Sequence, residues 1–254
     1  MQRSNANLGV DLTIACRSRI LMTIQSVVIH MSVAAKVIEP RWGRRKDARP
    51  GELAVAALEL FVERGFAATR LDDVAKRAGV SKGTLYLYFD SKDDLFKAVV
   101  REGIVSRIAA FEERMRAYDG SSADLMRLLV KTWWQEIGAT KLAGISKLMM
   151  SEAGNFPALA KFYHDEVHSR GTALFAAALQ RGIDSGEFRP LDLAHAPHIC
   201  VAPVVMLMVW RNSFDLCGVA KMDPDVYLDT HTELLVRGLL ADKPAQVGAR
   251  AKRS

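Results

Sequence analysis

The chain has 254 residues, of which 50% are hydrophobic, and a formal net charge of +6 at pH 7. This composition allows one large or two smaller globular domains, and it excludes a chain too polar to form a core. The three cysteines have no CxxC spacing, so we expect neither a disulfide framework nor a zinc site. A reducing, cytoplasmic setting follows.

The charges are unevenly distributed along the chain. Residues 1–43, 44–107 and 243–254 each carry more basic than acidic groups, whereas residues 108–242 carry more acidic than basic groups. A basic segment beside an acidic body is typical of a protein with one part that faces nucleic acid. Basic ends that are merely solvated give the same pattern.

Residues 1–46 are predicted to be a disordered basic leader, and residues 243–254 a disordered basic tail. The apolar run at residues 20–38 loosely resembles a secretory signal, but polar residues interrupt it, and we expect no membrane span. At the end of the leader, Arg44 and Arg45 belong to a basic run that could enter a minor groove or follow phosphates. A solubilising leader is the alternative.

Apolar residues recur at helical spacing throughout the chain, which predicts an all-α fold. The first helix is expected to open with Pro50 in its first turn and to end at Gly65. The second is expected to begin at Thr69, whose hydroxyl would form a capping box with Asp72.

The second and third predicted helices are joined by a very short turn. Gly79 suits the end of the second helix, and Ser81 can cap a third helix at residues 82–89. Two helices so joined must cross steeply, as in a helix-turn-helix whose second member enters a DNA major groove. Leu85 and Phe89 would anchor this helix inward, leaving a polar face that suits DNA or, alternatively, only solvent.

Residues 61–100 closely resemble the DNA-binding domain of TetR-type transcription regulators, through a set of spaced residues: Gly65, Phe66, Thr69, Ala75, Ala78, Gly79, Val80, Ser81, Gly83, Thr84, Leu85, Tyr86, Tyr88, Phe89, Lys92 and Leu95. The resemblance implies an N-terminal three-helix DNA-binding domain at residues 47–107 and a C-terminal helical ligand-binding and dimerisation domain at residues 108–242. The residues expected to contact DNA are the two leader arginines and the residues that the motif places beside DNA. They are Arg44, Arg45, Thr69, Arg70, Ser81, Lys82, Gly83, Thr84, Tyr86, Tyr88 and Lys92.

In the body, helices are predicted at residues 91–118, 122–138, 142–153, 156–185, 190–213 and 224–241, and residues 149–170 resemble the sensing domain of one TetR branch. Bulky apolar residues in these helices either line a cavity for a hydrophobic ligand or simply form core: Trp133, Trp134, Met149, Met150, Phe156, Phe162, Phe175, Met206, Met208 and Trp210. No ligand-binding residue is therefore assigned.

No metal, cofactor or enzyme activity is predicted. His164 and His168 lie four residues apart on one helix, but they do not form HExxH, and nothing in the sequence brings His195 and His198 to them. Surface or pocket histidines are the favoured interpretation. No nucleophile elbow, phosphate loop or paired carboxylates are found.

The resemblance implies a homodimer whose last two helices form a four-helix bundle across the two-fold axis. The dimer would present two recognition helices to a palindromic operator in double-stranded DNA. A small apolar or amphipathic effector is expected to release the operator, which makes the protein a repressor. A TetR-type activator and a non-specific or architectural DNA-binding protein are the alternatives.

Overall fold

A computed structural model describes residues 49–218 and 221–241. Within these ranges the elements are helical, apart from one isolated antiparallel bridge between Phe188 and Leu240. The predicted all-α fold is confirmed. The leader with Arg44 and Arg45, and the basic tail, lie outside the described residues.

The head contains α1 (Arg49–Ala68), α2 (Leu71–Arg77), α3 (Lys82–Tyr86) and α4 (Lys92–Val100). Gly65 interrupts the helical geometry of α1 with a φ of 84°, which glycine adopts at little cost. Three rings, those of Phe61, Phe66 and Phe96, pack together with centroids 5.5–5.6 Å apart. They form the centre of the head's core.

The predicted capping box at Thr69 is wrong. α2 begins after Arg70, and no side chain caps it. Thr69 is only 2% exposed, and its hydroxyl donates to the carbonyl oxygens of Gly65 at 2.7 Å and Leu60 at 3.2 Å. The side chain points back to α1 because carbonyls near the end of a helix lose their partners within the helix.

The body continues directly from α4. A π-helical turn (Arg101–Val105) joins α4 to α5 (Ser106–Arg116). The remaining elements are α6 (Ser122–Trp133), a π-helical turn (Trp134–Gly138), α7 (Ala143–Glu152), α8 (Pro157–Tyr163), a π-helical turn (His164–His168), α9 (Ser169–Asp184), α10 (Ala196–Arg211), a 3-10 turn (Asp215–Cys217) and α11 (Pro224–Leu239).

These bounds agree with the predicted helices within a few residues, except at two ends. The third helix ends at Tyr86 instead of residue 89, although Leu85 and Phe89 are buried as expected. The helix predicted from residue 190 begins only at Ala196. Just before this helix, the Asp192 carboxylate accepts the Ala194 N–H at 2.8 Å and lies 2.7 Å from His195 Nδ1. These contacts stabilise a local turn in place of a longer helix.

Head and body pack against each other through α7 and α8. A Cβ atom on Gly144 of α7 would lie 2.6 Å from both methyl groups of Val62 on α1, so the two helices are in close contact. At the start of α8, the Phe156 ring lies edge-on to Phe66, with centroids 4.7 Å apart. Within α8, the Phe162 ring lies 5.1 Å below the Arg101 guanidinium. The segment around α8 therefore contacts the head through Phe156, just before the helix, and the turn that follows α4 through Phe162 near its end.

Candidate DNA-contacting surface and ligand cavity

The recognition surface is built on α3. Ser81 caps this helix as predicted, because its Oγ accepts the Thr84 N–H at 3.1 Å and lies 2.8 Å from Thr84 Oγ1. Lys82 and Tyr86 are exposed on α3, and Lys82 forms an ion pair of 2.9 Å with Asp72 on α2. The hydrogen bond that Lys82 donates to Asp72 raises the pKa of Lys82, so its ammonium stays charged.

Gly83 lies on the same surface with open space around it. The nearest atom to a Cβ built there is Ser81 Oγ at 3.8 Å, an ordinary contact distance. The fold therefore does not require a glycine at this position. An exposed lysine, hydroxyl groups and a residue without a side chain together suit phosphates and base edges.

The other expected DNA contacts differ in their surroundings. Arg70 is exposed, Tyr88 is half-buried against the core, and the hydroxyl of Thr69 faces inward. Lys92 Nζ donates to Phe66 O at 2.7 Å and Ala67 O at 3.1 Å. Burial lowers the pKa of Lys92. This lysine joins the start of α4 to the end of α1.

The body contains an apolar cavity of about 290 Å³ between α6, α7, α8, α9 and α10. Most of its walls are hydrocarbon, which is typical of sites for apolar ligands. Its lining residues are Trp133, Ser146, Met149, Met150, Ala153, Ala160, Tyr163, His164, Val167, His168, Gly171, Thr172, Val201 and Val205.

Besides His164, His168 and Thr172, three polar groups lie among these apolar walls. Ser146 Oγ lies 3.1 Å from Tyr163 Oη, and burial raises the pKa of Tyr163, so the phenol stays protonated at neutral pH. Trp133 is 7% exposed, and its buried Nε1 has no acceptor among the described residues. Buried donors are normally paired, so this indole N–H is an unusual unpaired donor on a residue that lines the cavity.

Of the ten bulky residues considered from the sequence, Trp133, Met149 and Met150 line the cavity. The others are core, lie where α8 meets the head, or lie on α10. The sequence analysis missed Tyr163 and Gly171. A glycine inside the amphipathic α9 was a usable signal: a Cβ on Gly171 would lie 2.9 Å from the Trp133 ring.

The last two helices expose apolar side chains. On α10, Ile199 and Met206 are 68% and 56% exposed, and on α11 Leu234 is 69% exposed. In the described part of the chain, Ala196–Cys217 is apolar and long enough to span a membrane by length and composition, with 22% of the span buried. Exposed apolar side chains on adjacent helices equally suit packing against helices of another protomer.

Three of the four histidines considered in the sequence come together. The rings of His164 and His168 stack with centroids 5.2 Å apart, and His198 of α10 stacks on His168 at 5.2 Å. His195 instead pairs with Asp192. Among residues 49–218 and 221–241, no group of three or more His, Cys, Asp or Glu side chains is placed to hold a metal ion.

Sequence comparisons match both halves of this architecture. The profile of bacterial regulatory proteins of the tetR family matches residues 53–99, and that of the AefR-like transcriptional repressor C-terminal domain matches residues 125–224. The HTH-type transcriptional repressor KstR2 of Rhodococcus jostii is 31% identical over 145 residues, which cover 57% of this chain and 70% of the repressor. The chain belongs to the tetR family.

Two further similarities bear on this TetR-family protein. The HTH-type transcriptional activator FasR of Mycolicibacterium smegmatis is 41% identical over 71 residues, 28% of this chain and 32% of the activator. The structure of FadR from Bacillus subtilis in complex with stearoyl-CoA has a TM-score of 0.60 and 23% identity, covering 74% of this chain and 98% of FadR. By its family, the chain is a DNA-binding transcription regulator with the TetR fold.

Proposed function

We propose that this TetR-family protein is a homodimeric, cytoplasmic repressor that binds a palindromic operator and releases it when an apolar or amphipathic molecule fills the cavity. One observation carries the proposal. α8 contributes Ala160 and Tyr163 to the cavity wall; Phe156, just before this helix, contacts Phe66 of the head, and Phe162 within it contacts Arg101 in the turn that follows α4. A ligand in the cavity therefore contacts the element that supports the DNA-binding head.

The head reads DNA through α3. Lys82, Gly83 and Tyr86 are exposed on this helix and would enter the major groove. Surrounding residues would position the head on phosphates or assist α3: Arg44, Arg45, Thr69, Arg70, Ser81, Thr84, Tyr88 and Lys92. For Thr69 a backbone approach is proposed, because its hydroxyl is engaged inside the fold.

The dimer would form through α10 and α11, whose exposed apolar residues lie on neighbouring helices. A two-fold dimer presents two α3 helices to adjacent major grooves, so the operator is expected to be palindromic. Burying these side chains between protomers also accounts for the exposed apolar surface of Ala196–Cys217 without a membrane.

Release of the operator follows from differential binding. A ligand can bind one of two conformations of the dimer more tightly. If it prefers the conformation whose heads are not spaced to fit the operator, it lowers operator affinity by the ratio of its affinities for the two conformations. FadR is bound to stearoyl-CoA, which carries a long apolar chain. A ligand of this amphipathic character suits a cavity with hydrocarbon walls and few polar groups.

The proposal is tested by fluorescence anisotropy with DNA that flanks the protein's own gene and with scrambled DNA. The double variant Lys82→Ala, Tyr86→Ala should lose selective binding. Lys161→Ala is the matched control, because Lys161 is an exposed lysine of the body that also forms an ion pair, with Asp165. Equal binding to both DNAs, with only a salt dependence, would favour the non-specific alternative.

An activator is the second candidate, because the similarity at 41% identity is to a protein named as an activator. A promoter fusion distinguishes the two roles. Deleting the gene raises expression from the operator if the protein represses, and lowers expression if it activates.

A further inference from the structure

The three stacked imidazole rings form a histidine column, defined as His164, His168 and His198, beside the cavity. His164 and His168 line the cavity and are also exposed, so they lie where it opens to solvent. The planes of neighbouring rings are inclined by only 22° and 20°. Two titratable groups are thereby held at the mouth of a largely apolar site, and the third, His198, stacks on one of them.

The column lacks a counter-charge for its central ring. Burial lowers the pKa of His168, and the positive charges of His198 and His164 lower it further. Asp165 is the acidic group that contacts the column: its Oδ1 lies 3.1 Å from His164 Nδ1, and its Oδ2 accepts from Lys161 Nζ at 2.6 Å. On the α10 side, Asp192 is held by His195. In the described part of the chain, no acidic side chain pairs with His168 or His198.

We propose that the histidine column binds the carboxylate of an amphipathic effector whose apolar part fills the cavity. This inference rests on the proposed function, because it takes the cavity as the effector site. Imidazole N–H groups donate charge-assisted hydrogen bonds to a carboxylate, and the bound anion supplies the missing counter-charge. The cavity lies at the small end of the range for ligand sites, about 300–1,000 Å³, so a short acyl chain is the matching tail.

The proposal has a pH dependence of defined sign. A carboxylate favours the protonated imidazole, so it raises the pKa of the column and the complex takes up a proton. Affinity for the carboxylate must then increase as the pH falls from 8 to 6. A neutral ligand with the same tail takes up no proton, and its affinity stays constant.

Isothermal titration calorimetry with octanoate and octan-1-ol tests this on the full chain. Octanoate should bind about tenfold more tightly at pH 6 than at pH 8, as expected for an average uptake of about half a proton across these two pH units. Its binding enthalpy should change between buffers of different ionisation enthalpy. Octan-1-ol should bind equally at both pH values, with the same enthalpy in every buffer.

Two histidine variants test whether the pH dependence of octanoate binding comes from the histidine column. His168→Gln should weaken octanoate binding at pH 6 by about tenfold and remove its pH dependence, while octan-1-ol binding is retained. His195→Gln is the control, because His195 is an exposed histidine outside the column. It should leave both ligands unchanged.

The outcomes separate this inference from the proposed function. If octan-1-ol binds but octanoate gains no affinity at pH 6, the cavity stands and the carboxylate site is wrong. Equal loss of both ligands in His168→Gln also overturns the carboxylate site, because it reveals a purely structural role. If neither ligand binds the unmodified protein, the cavity is not the effector site, and the proposed release mechanism fails with it.

Discussion

Gly83 lies on the exposed face of α3, where a methyl group would meet no atom of the protein closer than 3.8 Å. We predict that Gly83→Ala leaves the unfolding temperature equal or slightly higher, because alanine favours helix, and lowers operator affinity about tenfold, roughly 1.4 kcal/mol. Anisotropy titrations and thermal melts measure the two effects. Gly154→Ala, also in open space but in the body, should change neither. Unchanged operator affinity in Gly83→Ala would show that DNA does not approach this backbone.

Lys92 combines two roles that can be separated by measurement. Its ammonium has three donors, and two of them reach Phe66 O and Ala67 O. The third is proposed to meet a phosphate. Lys92→Met should therefore lower the free energy of unfolding by about 1 kcal/mol and reduce the salt slope of operator binding by about one. Urea unfolding and titrations at several salt concentrations test this. A lower free energy of unfolding with an unchanged salt slope would show that Lys92 does not contact a phosphate and acts only through its hydrogen bonds to α1.

At the scale of single helices, local features were predictable from the sequence. Ser81 caps α3 as expected, and Ser91 caps α4 in the same way, because a cap depends on residues three positions away. The wrong cap at Thr69 has a different origin. Its hydroxyl donates to Gly65 O, four residues back, at 2.7 Å and to Leu60 O, nine residues back, at 3.2 Å, so it is already engaged at the end of α1.

The cavity was predictable only in outline, because its walls come from five helices. Apolar periodicity identifies each helix. It does not reveal that Gly171 of α9 packs against Trp133 of α6, because these residues meet only in the folded body. The histidine column has the same limit. His164 and His168 share a helix face by their spacing, whereas His198 joins them only through the packing of α10 on α9.

The contact between α1 and α7 gives a prediction about helix packing. In Gly144→Ala, the new Cβ would lie 2.6 Å from the two methyl groups of Val62, whose β-branched side chain cannot easily rotate away. We expect a loss of about 1–3 kcal/mol in the free energy of unfolding. Adding Val62→Ala to this variant should recover part of the loss, and a double-mutant cycle measures the coupling. Additive effects would mean that the two helices do not meet at these residues.

At the scale of the whole molecule, charge and exposed apolar side chains differ between the parts of the chain. Residues 44–107 of the sequence carry an excess of basic groups and residues 108–242 an excess of acidic groups. A basic segment attracts DNA and an acidic one repels it. The body's exposed apolar side chains on α10 and α11 provide the surface through which two heads would be held at a fixed spacing.

Leu234 tests this proposed dimer surface, because it is 69% exposed on α11. Leu234→Glu would bury an unpaired charge between protomers, so the dissociation constant of the dimer should rise at least about a hundredfold, roughly 3 kcal/mol. Sedimentation equilibrium measures this change. Operator affinity should fall with it, because a monomer presents one α3 helix instead of two. Val55→Glu is the control, since Val55 is 60% exposed on α1 in the head. It should leave the dimer intact, and an unchanged dimer in Leu234→Glu would place the interface on another surface.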